Sequence, residues 1–403
     1  MAKSRPILAG LDIGTQRVAV VVAERTPHGL EVLGVGTALS RGMKAGRVVD
    51  VEKTTDAIGI AVGEAEMMAG TEVKSAIVSL SGDHLQGTNS HGVAAVDNGE
   101  VSARAAHRVI DAARAVPLPP DQEIQQIICR DFIVDGQSGI ADPVGMNGVR
   151  LEVNLHLVSG AETAVANIYS CCNRAGLSVE DVMASSLSAG EATLQRDETD
   201  LGVALIDLGA GTADMAIYQQ GSVAHTEVTT VAGDHITSDL SRCLETSVRE
   251  AEAAKKRYGR AYSGLVDRSS EVEIAGVGGR PPRIISQGLI ADIIESRLEE
   301  IFENQLKIIE ASGHGDKLTS GVVLTGGCSM MPGIVDVASR VLGMPVRVGE
   351  PVGIAGLTEE VDDPSWATVI GLVRGMPINE LVDGVGPTRL LPKWLQRKWN
   401  ELF

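Results

Sequence analysis

LGVALIDLGAGTADMAIYQQG, residues Leu201 to Gly221, holds two apolar runs with a small-residue turn between them. The first run, Val203 to Ile206, has strand length and leads to an acid, Asp207. Gly209, Ala210, Gly211 and Thr212 follow, and then a second apolar run from Met215 to Tyr218. The pattern reads as strand, tight turn, strand. Glycines let backbone come close to a ligand, and consecutive N–H groups of such a turn form an anion-binding nest. A carboxylate beside a phosphate nest needs a cation between the two. Mg²⁺ is the usual one, because it keeps waters and bridges carboxylate to phosphate oxygens. An ordinary glycine-rich hairpin would carry the same letters. The reading gains weight from an echo near the start of the chain. Leu8 to Val22, LAGLDIGTQRVAVVV, repeats the layout with Asp12, Gly14, Thr15 and a return strand from Val18 to Val22. Two such units predict a chain built of two similar halves with a nucleotide between them, each half offering one turn to the phosphates.

Composition narrows the class. With 403 residues, 44% of them hydrophobic, the chain is long enough for two or more cored domains. Its five cysteines, Cys129, Cys171, Cys172, Cys243 and Cys328, have no C-x-x-C spacing, which suits a reducing cytosol better than disulfides or a zinc site. A formal net charge of −18 argues against a nucleic-acid partner. The N-terminal apolar run is cut by Asp12, so no signal peptide is expected. No segment reaches the roughly 18 apolar residues of a transmembrane helix.

Beyond the first turn, Glu31 to Thr37 reads as a third strand, so the first half predicts an antiparallel meander of Leu8–Leu11, Val18–Ala23 and Leu30–Thr37. Lys53 to Ala69 carries a helical stripe. Residues 85–160 change character and read as an inserted small domain. Within it a helix runs from Ala103 to Ala115 with Ser102 as N-cap, and strands cover Glu123 to Ile128 and Arg150 to Val158. His156 alternates with apolar neighbours and reads as a satisfied strand histidine. A helix over Glu162 to Ala175 ends at Gly176. The second half repeats the meander with Val203–Ile206, Ala213–Tyr218 and Ser222–Thr229. Gly233 opens a helix through Leu244. In Glu250 to Arg257, EAEAAKKR, Glu252 and Lys255 share a helix face. Residues 276–283, GVGGRPPR, are a turn-rich loop with two arginines, and Leu289 to Ile309 is a long amphipathic helix with Arg297 off its apolar stripe. Gly321 to Gly333, GVVLTGGCSMMPG, runs a strand into a glycine pair, a natural place for a ribose or flat base to lie against backbone. Gly371 to Gly386 reads as a linker.

Aromatic residues make up only 2% of the chain, yet Trp394, Trp399 and Phe403 all fall in the last ten residues. On a helical wheel Leu391, Trp394, Leu395, Trp399, Leu402 and Phe403 share one half, with Lys398 at a position where its stem would snorkel. Such a helix spans about 18 Å, too short to cross a bilayer and suited to lie at its interface. One copy binds weakly, so stable attachment calls for many copies side by side.

Together the motifs carry a resemblance. Asp12-Ile13-Gly14-Thr15, Asp207 to Thr212 and Leu324-Thr325-Gly326-Gly327 look like the actin/Hsp70/sugar-kinase nucleotide fold. Ser40-Arg41-Gly42-Met43, residues 143–150 (PVGMNGVR), Ala251 to Lys255, residues 277–283 (VGGRPPR) and the amphipathic tail narrow it: essentially end to end, the chain resembles the FtsA family of bacterial actin-like cell-division proteins. The resemblance implies an α/β, two-lobed, ribonuclease H-like ATPase fold with a displaced inserted subdomain and a C-terminal amphipathic helix. Residues 1–84 and 161–198 would form one subdomain, 85–160 the insert, 199–228 with 317–384 the second lobe's base, 229–316 its outer part, and 385–403 the linker and membrane helix.

It further implies ATP and Mg²⁺ in the central cleft. Asp12 and Asp207 would hold the metal through water. Gly14, Thr15, Gln16, Gly209, Ala210, Gly211 and Thr212 would meet the phosphates, and Gly233, Glu252, Lys255, Gly326, Gly327 and Met330 would meet the nucleoside. The outer part would capture the tail of FtsZ, the tubulin-like ring protein, with Arg280, Arg283 and Arg297 as the recognising arginines. Trp394, Leu395, Lys398, Trp399, Leu402 and Phe403 would hold a polymer of the chain to the inner membrane at the division septum, where later division proteins assemble. Where many relatives of this fold place a water-orienting Glu or Gln, this chain has Ser185, so the resemblance implies nucleotide binding and at most weak hydrolysis.

Two other functions share the fold. A sugar-kinase-type phosphotransferase needs a base facing a substrate hydroxyl and has no use for the tail; no candidate base stands out beyond the two aspartates. An Hsp70-like chaperone needs a peptide-binding domain, for which the residues after 384 leave no room. Fold alone does not choose among these; the tail and the 229–316 loops favour the division protein.

Overall fold

The computed structural model describes residues 7–26 and 29–375. The expected terminal helix lies outside the described residues, with Trp394, Leu395, Lys398, Trp399, Leu402 and Phe403. No helix among the described residues is long and apolar enough to cross a membrane.

Two sheets repeat one plan. In the first, Ile7–Ile13, Arg17–Thr26 and Gly29–Leu39 form an antiparallel meander. Ser75–Leu80 then runs parallel beside the first strand, and Ser178–Ala184 runs parallel beyond it. In the second, Val203–Leu208, Ala213–Gln219 and Ser222–Thr229 form the meander. Val322–Thr325 and Val346–Val348 add the two parallel strands. Both sheets therefore run third, second and first strand, then two parallel ones. But for one aspartate each, Asp12 and Asp207, the central strands Ile7–Ile13 and Val203–Leu208 are apolar because helices cover both faces, and every residue of Val203–Leu208 is buried. Each half has its own core. Val51–Ala69 buries Ile58, Ala61, Val62 and Ala65 in the first, and Gln287–Ala311 buries Ile290, Ile294, Leu298, Ile301 and Phe302 in the second.

The insert is a four-stranded antiparallel sheet with the helix Ala103–Arg114 on one face. Ser102 caps that helix as expected, its Oγ accepting from the Ala105 N–H at 3.2 Å. The strand Leu85–Ala95 has no counterpart in the sequence expectation. It is rich in Gly, Thr, Asn and Ser and mostly exposed, so it lacks an apolar alternation, yet it pairs along its whole length with Arg150–Ala161. The insert docks on the second half. Buried His156 meets Asn89 Oδ1 at 2.8 Å through Nδ1 and Thr226 Oγ1 at 2.9 Å through Nε2. Burial pushes its pKa down to about 3, which keeps it neutral, a satisfied strand histidine as the sequence predicts.

Two expectations are corrected. Residues 317–384 do not belong wholly to the second half: Ile354–Gly356 adds an edge strand to the first sheet, and Ala367–Arg374 buries its apolar face in the first core. Residues 371–374 also form the end of that buried helix, not a linker. Gly371 is there for close approach. A Cβ at this position would overlap the carbonyl of Ser188, whose Oγ donates to Thr368 O at 2.6 Å.

Candidate functional site

Asp12 and Asp207 stand one residue before the ends of their strands, Ile7–Ile13 and Val203–Leu208. The same hydrogen bond closes the turn after each. Gly14 N donates to Arg17 O at 3.0 Å, and Gly209 N donates to Thr212 O at 2.9 Å. The two turns face each other so closely that a Cβ on Gly211 would overlap Thr15 Oγ1. A cavity of about 550 Å³ opens between them. Every residue expected at the nucleotide lines it except Gly233. That residue forms the layer behind: its N donates to Gly209 O at 3.2 Å and its O accepts from Lys255 Nζ at 3.1 Å.

The expected acids each take one hydroxyl. Asp12 Oδ1 accepts from Ser79 Oγ, and Asp207 Oδ2 accepts from Thr368 Oγ1, both at 2.6 Å. A third carboxylate shares the cavity, which the sequence reading did not find. Asp214 lies on the return strand Ala213–Gln219, its Oδ2 accepting from Ser81 Oγ at 2.8 Å. The signal was present: a lone acid within the otherwise uncharged run ADMAIYQ, whose other residues are nearly all buried. Burial raises the pKa of all three acids. Asp207 reaches about 7, with the charge of Asp12 adding to the rise, and Asp214 reaches about 8, with the charge of Asp207 adding to it. Arg17 is the cation that acts on Asp12, and it also donates to Ser365 O at 2.7 Å and stacks over Trp366 at 4.5 Å.

These acids are short of positive charge, and one oxygen, Asp214 Oδ1, is buried without a partner. A divalent cation fits that deficit. Among the described residues no three ligating groups converge on one point, so the fit is to an ion held largely through water.

The opposite wall forms as the helix spacing predicts. Lys255 Nζ lies 2.7 Å from Glu252 Oε2 and 2.8 Å from Thr237 Oγ1. Gln16 Nε2 crosses the cleft to Asp234 Oδ1 at 2.9 Å, so its carboxamide ties the two halves together. Gly326 has φ +83° and packs against Asp207, where a side chain would collide with Oδ1. Ser185 also lines the cavity, its hydroxyl donating to Leu80 O at 3.1 Å.

The three expected partner arginines gather along the helix Gly233–Cys243 and differ in how they are engaged. Exposed Arg280 and Arg283 both sit 3.4 Å from Glu245, just past the helix. Arg297 is tied to Asp239 on that helix at 2.5 Å and to Glu300 at 2.6 Å.

Comparison with known proteins agrees with this architecture. The family model "Cell division protein FtsA" matches residues 204–371, and "SHS2 domain inserted in FTSA" matches residues 82–159. The cell division protein FtsA of Pseudomonas aeruginosa is 41% identical over 372 residues, 92% of this chain and 89% of the relative. That of Bacillus subtilis is 38% identical, covering 94% and 85%, and that of Escherichia coli K12 is 35% identical, covering 93% and 91%. Among solved structures, the PilM–PilN type IV pilus biogenesis complex gives a TM-score of 0.65 at 16% identity, covering 93% of this chain and 100% of that one. MreB5 of Spiroplasma citri bound to AMPPNP gives 0.55 at 14%, covering 92% and 95%. At these identities the structures bear on fold alone, and that fold is the actin-like one. With two duplicated sheets, an SHS2 insert and relatives matched across nearly their whole length, the chain belongs to the FtsA family of actin-like cell-division proteins.

Proposed function

We propose that this chain binds ATP with Mg²⁺ in the cleft, polymerises on the inner membrane face and tethers FtsZ filaments to the membrane at the division ring, where later division proteins are recruited. The observation that carries the nucleotide reading is the pair of facing turns, each with one buried aspartate behind it and the same Gly N–H to carbonyl bond closing it. Turn N–H groups favour anionic phosphate oxygens, and Mg²⁺ supplies the counter-charge that Asp12 and Asp207 lack. Gly326, Gly327 and Met330 offer a surface for the nucleoside, and the Glu252–Lys255 pair offers polar groups to its ribose. The MreB5 relative of this fold bound to AMPPNP supports a nucleotide there.

The tethering reading rests on two surfaces. Arg280 and Arg283 present exposed guanidinium groups suited to an acidic peptide tail. The amphipathic segment with Trp394 and Trp399 suits a membrane interface on the cytoplasmic side. Equilibrium binding of fluorescent ATP with Mg²⁺ tests the cleft. Asp207→Asn is expected to weaken it about 10- to 100-fold, the usual loss when a metal's supporting carboxylate is removed. Unchanged affinity in that variant would contradict the assignment of the metal to these acids.

A further inference from the structure

The bonds that join the two halves at the cleft differ in depth. Thr368 Oγ1 donates to Asp207 Oδ2 at 2.6 Å, and Ser81 Oγ donates to Asp214 Oδ2 at 2.8 Å. Thr368, Asp207 and Asp214 are all buried, so these bonds form a floor. The bond from Gln16 Nε2 to Asp234 Oδ1, at 2.9 Å, joins two half-buried side chains and lies nearer to solvent.

Its course matters as much as its depth. Gln16 belongs to the first turn and lines the cavity, while Asp234 lies within reach of the charges of Lys255 and Glu252 on the opposite wall. The Gln16 side chain thus crosses from the turn expected at the phosphates toward the wall expected at the nucleoside. Both ends are anchored. Gln16 O accepts from Ser40 N at 2.9 Å, and Asp234 N donates to Ala210 O at 2.7 Å. Asp234 also stands in the first turn of the helix Gly233–Cys243, where a carboxylate is favoured. The long side chain of Gln16 is the movable part, and breaking one hydrogen bond parts the ends with no change of backbone.

We propose that Gln16 and Asp234 form a strap across the cleft that gates the passage of ATP in both directions. The inference rests on the cleft being an ATP site. A strap that closes over the occupied and the unoccupied cleft alike slows entry and exit together. It therefore sets the exchange rates and leaves the affinity nearly unchanged. A contact made to the nucleotide itself would act mainly on release.

The test uses the intact chain with Mg²⁺ and a fluorescent ATP analogue. Rapid mixing gives the association rate, and a chase with excess unlabelled ATP gives the release rate. Gln16→Ala and Asp234→Ala are each expected to speed both rates about tenfold, the worth of a hydrogen bond to a charged group, with affinity held within about threefold. Gln16→Glu sets two carboxylates against each other and is expected to speed both at least as much. Adding Asp234→Asn to Gln16→Glu restores a bond between carboxamide and carboxylate with the roles exchanged. That pair is expected to return both rates to within about threefold of wild type, which neither a structural glutamine nor a phosphate contact would do, and it keeps the test decisive if a single variant folds poorly. Rates in Gln16→Ala equal to those of wild type would overturn the gate, as would faster release with unchanged association, or an exchanged pair that stays fast. These outcomes in a chain that binds ATP remove the gate alone, whereas a wild-type chain that binds no ATP removes the nucleotide reading and the gate with it.

Discussion

Asp207 and Asp214 are buried acids without full counter-charge, and both bear on how the ligand-free protein responds to pH. Both have folded-state pKa values above the unfolded ones, at about 7 and about 8. Below the unfolded value, about 4, they are protonated in both states and cost nothing. As pH rises from there, the unfolded chain releases protons that the folded chain keeps, so stability falls until pH has passed about 8. The melting temperature of the chain without nucleotide or Mg²⁺ is therefore expected to drop between pH 5 and 8, as read by a thermal melt at constant ionic strength. Asp214→Asn removes one titrating group and is expected to flatten the drop. An equally steep fall in that variant would show that other groups control it. Asp12 and Asp207 were legible because each ends an apolar run and precedes a glycine. Asp214 was missed because its one mark, a lone acid inside an apolar run, has no glycine turn beside it, and its partner Ser81 is brought from the other half by folding.

At the scale of elements, the two meanders were legible because buried strands leave continuous apolar runs punctuated by acids and glycines. The strand Leu85–Ala95 was not, since its exposed polar residues mimic a loop. The helix Ala367–Arg374 was mistaken in part for a linker because Gly371, there to admit Ser188, looks in sequence like a flexible residue. Gly371→Ala is expected to cost about 1–3 kcal/mol through overpacking, measurable by urea denaturation. A neutral result would mean that Ala367–Arg374 and the helix Ser185–Thr193, which carries Ser188, separate easily. The arginines divide in the same manner. Arg297 is three-quarters buried between Asp239 and Glu300, so Arg297→Ala is expected to lower stability by about 1 kcal/mol. Arg280→Ala with Arg283→Ala removes exposed groups, so it should leave the melting temperature unchanged while weakening an FtsZ-tail peptide about tenfold or more by fluorescence anisotropy. If Arg297→Ala instead affects only the peptide, its ion pairs are expendable and its role lies in recognition.

For the whole molecule, contacts that join the halves include the facing turns, the Gln16–Asp234 bridge, the Thr368–Asp207 and Ser81–Asp214 bonds, and the seat of the insert at His156 and Thr226. On the proposed function, a nucleotide between the turns would touch both halves, so its occupancy would bear on their relative placement. Many copies in a filament would multiply weak membrane helices into firm attachment. The measurement that bears most directly on the tether is co-sedimentation of FtsZ with anionic vesicles, Mg²⁺ and ATP, comparing the intact chain with one ending at Gly384. FtsZ is expected in the vesicle pellet only with the intact chain. FtsZ left in the supernatant with the intact chain, or pelleted equally with the shortened one, would contradict the tether.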